Sequence, residues 1–338
     1  MGLRSASVHK EAAFLASSAS SSTLCHALDS NFRLNADSAD SEFGNALSAY
    51  NAKLPPDVQI SAPQVATMKQ KELSNKLDSA GHAVRLANVS GSDRATLISE
   101  CQDGARDFWT VVPSRALGLA VPAAEFAVEV KYRLCMDQAS EDWCPLCDSV
   151  LDPKGHHCRR CFAGGDRTIR HNKLRNGLFS FCRHDAGVQA ELEKAGLLLP
   201  ARPHESENAR RPADIYLPQW YGGLPAALDF AVTSPNQAAF VGTAASEALH
   251  AAISYTETKR ANLNTATSCA EQGVTFLPMV CETSGAWAPA ASAVLKQIAK
   301  LAAARAGKPA SEFYRSLLQR LSVIVRTANA RTHLRRMG

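Results

Sequence analysis

The stretch "CPLCDSVLDPKGHHCRRC", residues 144–161, holds four of the chain's ten cysteines and two of its ten histidines. Buried free thiols have no reason to bunch in this way, so the segment must either close disulfides or gather around a metal. Cys144 and Cys147 stand two residues apart, a spacing at which one tight turn offers two thiolates to a tetrahedral ion. The other half of the site is open between patterns. His156 with Cys161 gives C-x2-C-x8-H-x4-C, Cys158 with Cys161 gives C-x2-C-x10-C-x2-C, and His157 adjoins both. Each is a chemically sound zinc site. Four protein ligands leave no position for water, so the expectation is structural Zn²⁺.

The disulfide alternative needs an oxidising compartment, and nothing else in the sequence asks for one. The opening "MGLRSASVHKEAAFLASSASSS" has no long apolar region with a small-residue cleavage pattern, and Ala6 stands where a myristoylation motif wants Ser or Thr. Apolar runs such as "LGLAV" and "AFAV" stop well short of the roughly 18 residues of a membrane span. A reducing compartment and no membrane partner are therefore expected. The net charge of +5 over 338 residues is too small to demand nucleic acid by itself. Local charge says more: Lys154 to Arg175 contains seven Lys or Arg against one acid, Asp166, and Arg331, Arg335 and Arg336 crowd the last dozen residues. A basic run beside a cysteine cluster favours contact with phosphates.

The length allows two to three domains. Residues 1–62, rich in Ser, Ala, Asn and Asp, are expected to form a low-order leader. Residues 63–139 read as a helical block, with a Ser-Asp start in "GSDRATLISECQ" and with Phe126, Val130 and Leu134 at helical spacing after Pro122. Residues 140–166 are the zinc knuckle. From 167 to 307 the periodicity predicts a helix over about 168–185, three strands, a helix, a strand and a helix, which is one α/β unit. Residues 308–338 read as a basic amphipathic helix.

Within the α/β unit, "RRPADIYLPQWYGGLPAALDFAVTS" carries an acid on each of two neighbouring strands. Asp229 lies among Leu228, Phe230 and Val232, and a carboxylate in an apolar strand is costly unless a cation meets it. Asp214 and Asp229 together suit Mg²⁺, a hard ion that takes carboxylate oxygens and keeps waters for chemistry. On the following helix Tyr255 and Lys259 are at i, i+4 and share a face, so Lys259 is placed to stabilise charge in a phosphoryl-transfer transition state. Arg170, His171, Asn172 and Arg175 make a basic helix start near both features, suited to gripping a DNA backbone or to supplying His171 to the site.

Cys-x2-Cys, then His and Cys, then Arg-His-Asn, then Arg211-Pro-x-Asp, then an Asp after fourteen intervening residues: this order resembles the C-terminal region of non-LTR retrotransposon polyproteins that carry a restriction-like endonuclease. The stretches "RALGLAVPAAEFAVEVKYRLCM" and "VCETSGAWAPAA" also resemble segments that flank this nuclease. The resemblance covers about 140–305. It implies a PD-(D/E)xK core of helix, three strands, helix and strand, with Asp214 and Asp229 as the catalytic acids and Mg²⁺ as the catalytic ion. It further implies zinc ligands Cys144, Cys147, His156 and Cys161, and Lys259 with neighbouring Tyr255 drawn from the helix after the second acid. Arg170, His171, Asn172, Arg175 and Arg211 would lie along the DNA. There are departures: Ala213 intervenes between Pro212 and Asp214, and Ala231 stands where the superfamily has a lysine. No Tyr/Phe-x-Asp-Asp motif is present, so a reverse transcriptase would be a separate partner. DNA, with the element's RNA, and the nucleus are the implied partners and place. The rival readings are a nucleic-acid-binding remnant that no longer cuts and a zinc-stabilised interaction module.

Overall fold

A segment rich in Ala and Ser can be firmly helical if its few large apolar residues recur at helical spacing, because Ala costs least of all residues in a helix. Helix α1 (Ala6–Leu28) meets that condition, turning Ala12 and Leu15 inward. In this computed structural model, which describes residues 4–34, 41–198, 204 and 210–337, α1 joins α2 (Glu42–Asn51), a short α3 (Ala62–Val65) and α4 (Gln70–Ala87). Leu15, Tyr50, Val65 and Leu73 are completely buried in their common core. The Tyr50 hydroxyl donates to the Leu73 carbonyl at 2.9 Å. The expected low-order leader is thus helical over most of its length: a polar average concealed enough well-spaced apolar residues to close a small core. The expected division at 62/63 also moves, since the chain separates into compact units at Val89 and Ser90.

The second unit begins with α5 (Gly91–Glu100) and α6 (Ala123–Arg133). A two-stranded antiparallel hairpin, β1 (Asp142–Trp143) and β2 (Val150–Leu151), leads into the five-residue helix α7 (His156–Arg160) and then α8 (Asp166–Ser180). One π turn, Phe181–Asp185, extends α8 toward Gly187. Next come β3 (Glu191–Lys194), β4 (Ala213–Leu217) and β5 (Ala226–Thr233), then α9 (Val241–Ala244), α10 (His250–Ala261), α11 (Thr265–Glu271), β6 (Thr275–Glu282), α12 (Pro289–Ala306) and α13 (Ala310–Met337). The fold is mixed α/β. Its main sheet has the order β3-β4-β5-β6, antiparallel at the first two joints and parallel at the third. The parallel joint needs a crossover, and α9 to α11 supply it.

Burial alternates along β4 and covers most of β5. Ile215 and Leu217 of β4 and Leu228 and Phe230 of β5 are buried with Leu174 and Leu178 of α8 and Leu295 and Ile298 of α12. The β4–β5 connection bends at Gly222 and Gly223, with φ of 70° and 78°, values that side chains with a Cβ resist. Helix α6 differs from expectation. Phe126, expected on its packed stripe, is 42 % exposed, and the buried face instead carries Glu125, Glu129 and Tyr132. The reason lies in α13, which packs against α6, α7, α8 and α12. Arg326 of α13, fully buried, donates to Glu129 at 3.0 Å and to Glu100 of α5 at 2.7 Å, and Arg159 of α7 donates to Glu129 at 2.7 Å. Helix α13 is the spine of the unit rather than a basic appendage. Arg331, Arg335 and Arg336 are likewise used inside the molecule, pairing with Glu125 at 2.8 Å and with Asp166 at 3.2 and 2.8 Å.

Candidate functional site

Cys144 and Cys147 lie on the β1–β2 turn, where Cys144 N donates to the Ser149 carbonyl at 2.8 Å and fixes the loop. Asp152 then caps α7, accepting from the amides of His156 and His157 at 2.9 and 2.7 Å. Gly155 precedes the helix at φ 75°, where an added Cβ would sit 2.6 Å from His333 Nδ1. These restraints set the phase of α7, and the phase chooses the ligand. Cys147 Sγ lies 3.2 Å from His157 Nε2 and 3.5 Å from Cys161 Sγ. The ligand atoms of Cys144, Cys147, His157 and Cys161 all fall within 4.8 Å of one another. Tetrahedral Zn–S bonds imply S···S edges of roughly 3.8 Å, so three thiols and one imidazole at these separations could hold a metal such as zinc. None of the ten cysteines is tied in a disulfide.

The ligand set therefore differs from the expected one at a single position. His156 is not in it: its Nδ1 faces Asn236 Nδ2 at 2.8 Å and the Tyr132 hydroxyl at 3.3 Å. Successive helical residues point about 100° apart, so His156 and His157 cannot both face the cysteines. Cys158 is buried in the adjoining apolar cluster with Leu151, outside the convergent four.

On the main sheet, β4 and β5 pair Ile215 with Leu228, and one further step of that register sets Asp214 opposite Asp229. Opposed residues on an antiparallel pair bring their side chains to about 5 Å. Three groups converge on them. His171, from α8, places Nε2 3.0 Å from Asp214 Oδ2; the Phe230 amide donates to the same oxygen at 2.6 Å; and Lys259 Nζ, from α10, donates to Asp229 Oδ2 at 2.6 Å. Burial pushes the Asp214 carboxyl up, but the His171 hydrogen bond and charge, with the Phe230 amide, bring it below its ordinary value. Burial pushes Asp229 up to about 6, the neighbouring Asp214 adding to it and Lys259 opposing it. The Asp214 hydrogen bond holds the His171 imidazole above its usual range. Two carboxylates of unlike proton affinity thus share a site with one lysine and one histidine, an arrangement associated with acid–base and phosphoryl chemistry.

The other expected site residues divide. Tyr255 lies beside Lys259 and, with it, lines clefts on either side. Asn172 Oδ1 is 3.2 Å from His171 Nδ1 and orients that ring. Arg211 is exposed at the rim of the first cleft. Arg170 is buried, donating to the Arg159 carbonyl at 2.9 Å and to Asn329 Oδ1 at 2.6 Å, and Arg175 is buried against Glu193. These two arginines join parts of the protein to one another instead of facing outward. The Phe230 amide and Arg167 were not foreseen. No sequence signal marks the amide, whereas Arg167 could have been found, since it stands at i−4 from His171 on α8. Compared with known protein families, curated proteins and solved structures, the chain matches none.

Proposed function

We propose that residues 140–305 form a DNA endonuclease of restriction-like type, supported by a structural zinc and dependent on magnesium, and derived from a non-LTR retroelement whose reverse transcriptase would be a separate module in the nucleus. The observation that carries this reading is the convergence of Asp214, Asp229 and Lys259, with His171 behind Asp214, on one strand pair. The strand order supports it too: helix, three strands, crossover helix and a fourth strand, with the acids on the second and third strands.

The donor set suits the ion. Mg²⁺ is commonly held by one or two carboxylates and keeps several waters, so Asp214 and Asp229 suffice as protein ligands. Bound there, magnesium would polarise a phosphate oxygen and acidify a water. The chain's own residues do the rest. The Phe230 amide and His171 fix the orientation of Asp214, so its outward oxygen is aimed before substrate arrives. Lys259 reaches the site from α10 and replaces the lysine missing at Ala231, supplying positive charge where the pentavalent phosphate gathers negative charge. Tyr255 closes one side of the site and limits water around the scissile bond.

The test is plasmid cleavage by the full-length protein with Mg²⁺ or Mn²⁺. Supercoiled DNA should become nicked and linear, Asp229→Ala should fall to background, and Lys259→Ala should lose roughly 10²–10³ in rate. Intact plasmid from the parent protein, or equal cutting by Asp229→Ala, would sink the nuclease. DNA binding retained without cutting would select the inactive binding remnant.

A further inference from the structure

The Asp229–Lys259 pair does not sit at the bottom of a single pocket. Two clefts meet at it, and Tyr255 and Lys259 line both. The first, of about 320 Å³, continues past Thr258 and Asn262 to Pro212, Arg210 and Arg211. The second, of about 390 Å³, runs between α8 and β5, past His171 and Val232 to Thr168 and Arg167. Among the described residues, Asp229 is the one acid lining either cleft, and Lys259 already faces it. Every other charged side chain lining the clefts is basic, set among apolar residues such as Leu198 and Leu263 in the first and Phe230 and Val232 in the second. Arg167 is exposed on the first turn of α8. Arg211 is 55 % exposed, with Glu193 at 4.0 Å. Arg210 is tied back, donating to the Leu263 carbonyl at 3.1 Å and to Ser268 at 3.5 Å, and so holds the wall.

A compact anion would need one such cleft, whereas a linear polyanion uses both. We infer that a nucleic-acid strand crosses the site through the two clefts, with its phosphates held by Arg167 on one side of the Asp229–Lys259 pair and by Arg211 on the other. This rests on the nuclease reading for the meaning of the central pair, but the grip itself is a binding property. A strand held on both flanks is one whose ends need not be near, so the site accepts internal positions of a long chain. Contacts of this kind fix position without reading sequence.

The experiment measures binding of the full-length chain to a labelled duplex, with Ca²⁺ replacing Mg²⁺, across a salt series. Each phosphate contact contributes nearly one to the slope of log affinity against log salt. Arg167→Ala and Arg211→Ala should each lower that slope by about one and the double variant by about two. Arg315→Ala, an exposed arginine on α13, should leave it unchanged. The inference is overturned if Arg167→Ala keeps the parent slope, or if the parent does not bind DNA. Plasmid cutting measured in parallel separates the two ideas. Reduced slopes without cutting keep the strand path and remove the nuclease, while cutting with unchanged slopes does the opposite.

Discussion

His156 and His157 begin the same short helix and enter unlike surroundings, one packed against Tyr132 and Asn236, the other facing Cys147. Replacing His157 by Ala should therefore reduce bound zinc from about one ion per chain to well below half after dialysis against a mild chelator. His156→Ala should keep the ion yet lose about 1–3 kcal/mol by orphaning the groups it meets. Elemental analysis and urea unfolding separate the two effects. The cysteine spacing made this chemistry legible, but not which histidine serves. That choice is made by partners 24 and 80 positions away in sequence, beyond the reach of any local pattern. His333 offers a second check. Burial, helped by the charge of Arg159, pushes its imidazole down to about 4. The unfolded ring, with an ordinary pKa near 6.5, binds a proton that the folded ring refuses between about pH 6.5 and 4. Stability should therefore fall as pH drops through that window, and His333→Gln should flatten the fall relative to the parent. Urea midpoints at pH 7.0, 6.0 and 5.0 measure it.

At the scale of elements, β4 could be read because its burial alternates, β5 and β6 because they are short apolar runs largely buried on both faces, and helix α8 because Leu174 and Leu178 recur at helical spacing. Helix α6 was legible as a helix, but its packed face was not, because that face carries Glu125 and Glu129. Glu125 and Glu129 look like solvent-facing residues until the arginines of α13 are brought to them. This makes α13 the element whose loss should cost most. Arg326→Met leaves Glu100 and Glu129 buried without their shared cation, and about 3–5 kcal/mol should be lost. Adding Glu100→Met and Glu129→Leu should recover most of that, because apolar replacement of a whole buried charge network is often neutral. All four tryptophans, Trp109, Trp143, Trp220 and Trp287, lie after residue 90, so intrinsic tryptophan fluorescence reports this unit alone.

At the scale of the whole molecule, the chain is two units, each with its own core. The first was hidden in the sequence because Ala and Ser carry so much of it that its average polarity resembled an unfolded leader. The paired acids were legible as a pair, since fifteen positions and a Gly-Gly bend imply a hairpin. That they stand directly opposite depends on a register which the same hairpin sets. Helix α13 has one more consequence. It follows every other element of its unit in the chain, yet its side chains join α5, α6, α7 and α8 from within. During synthesis, the glutamates on α5 and α6 leave the ribosome long before their arginine exists, and the unit cannot close until residues 310–337 have emerged. Until then its half-built interior is exposed to chaperones and proteases, so the second unit closes as a whole and not piece by piece as it emerges.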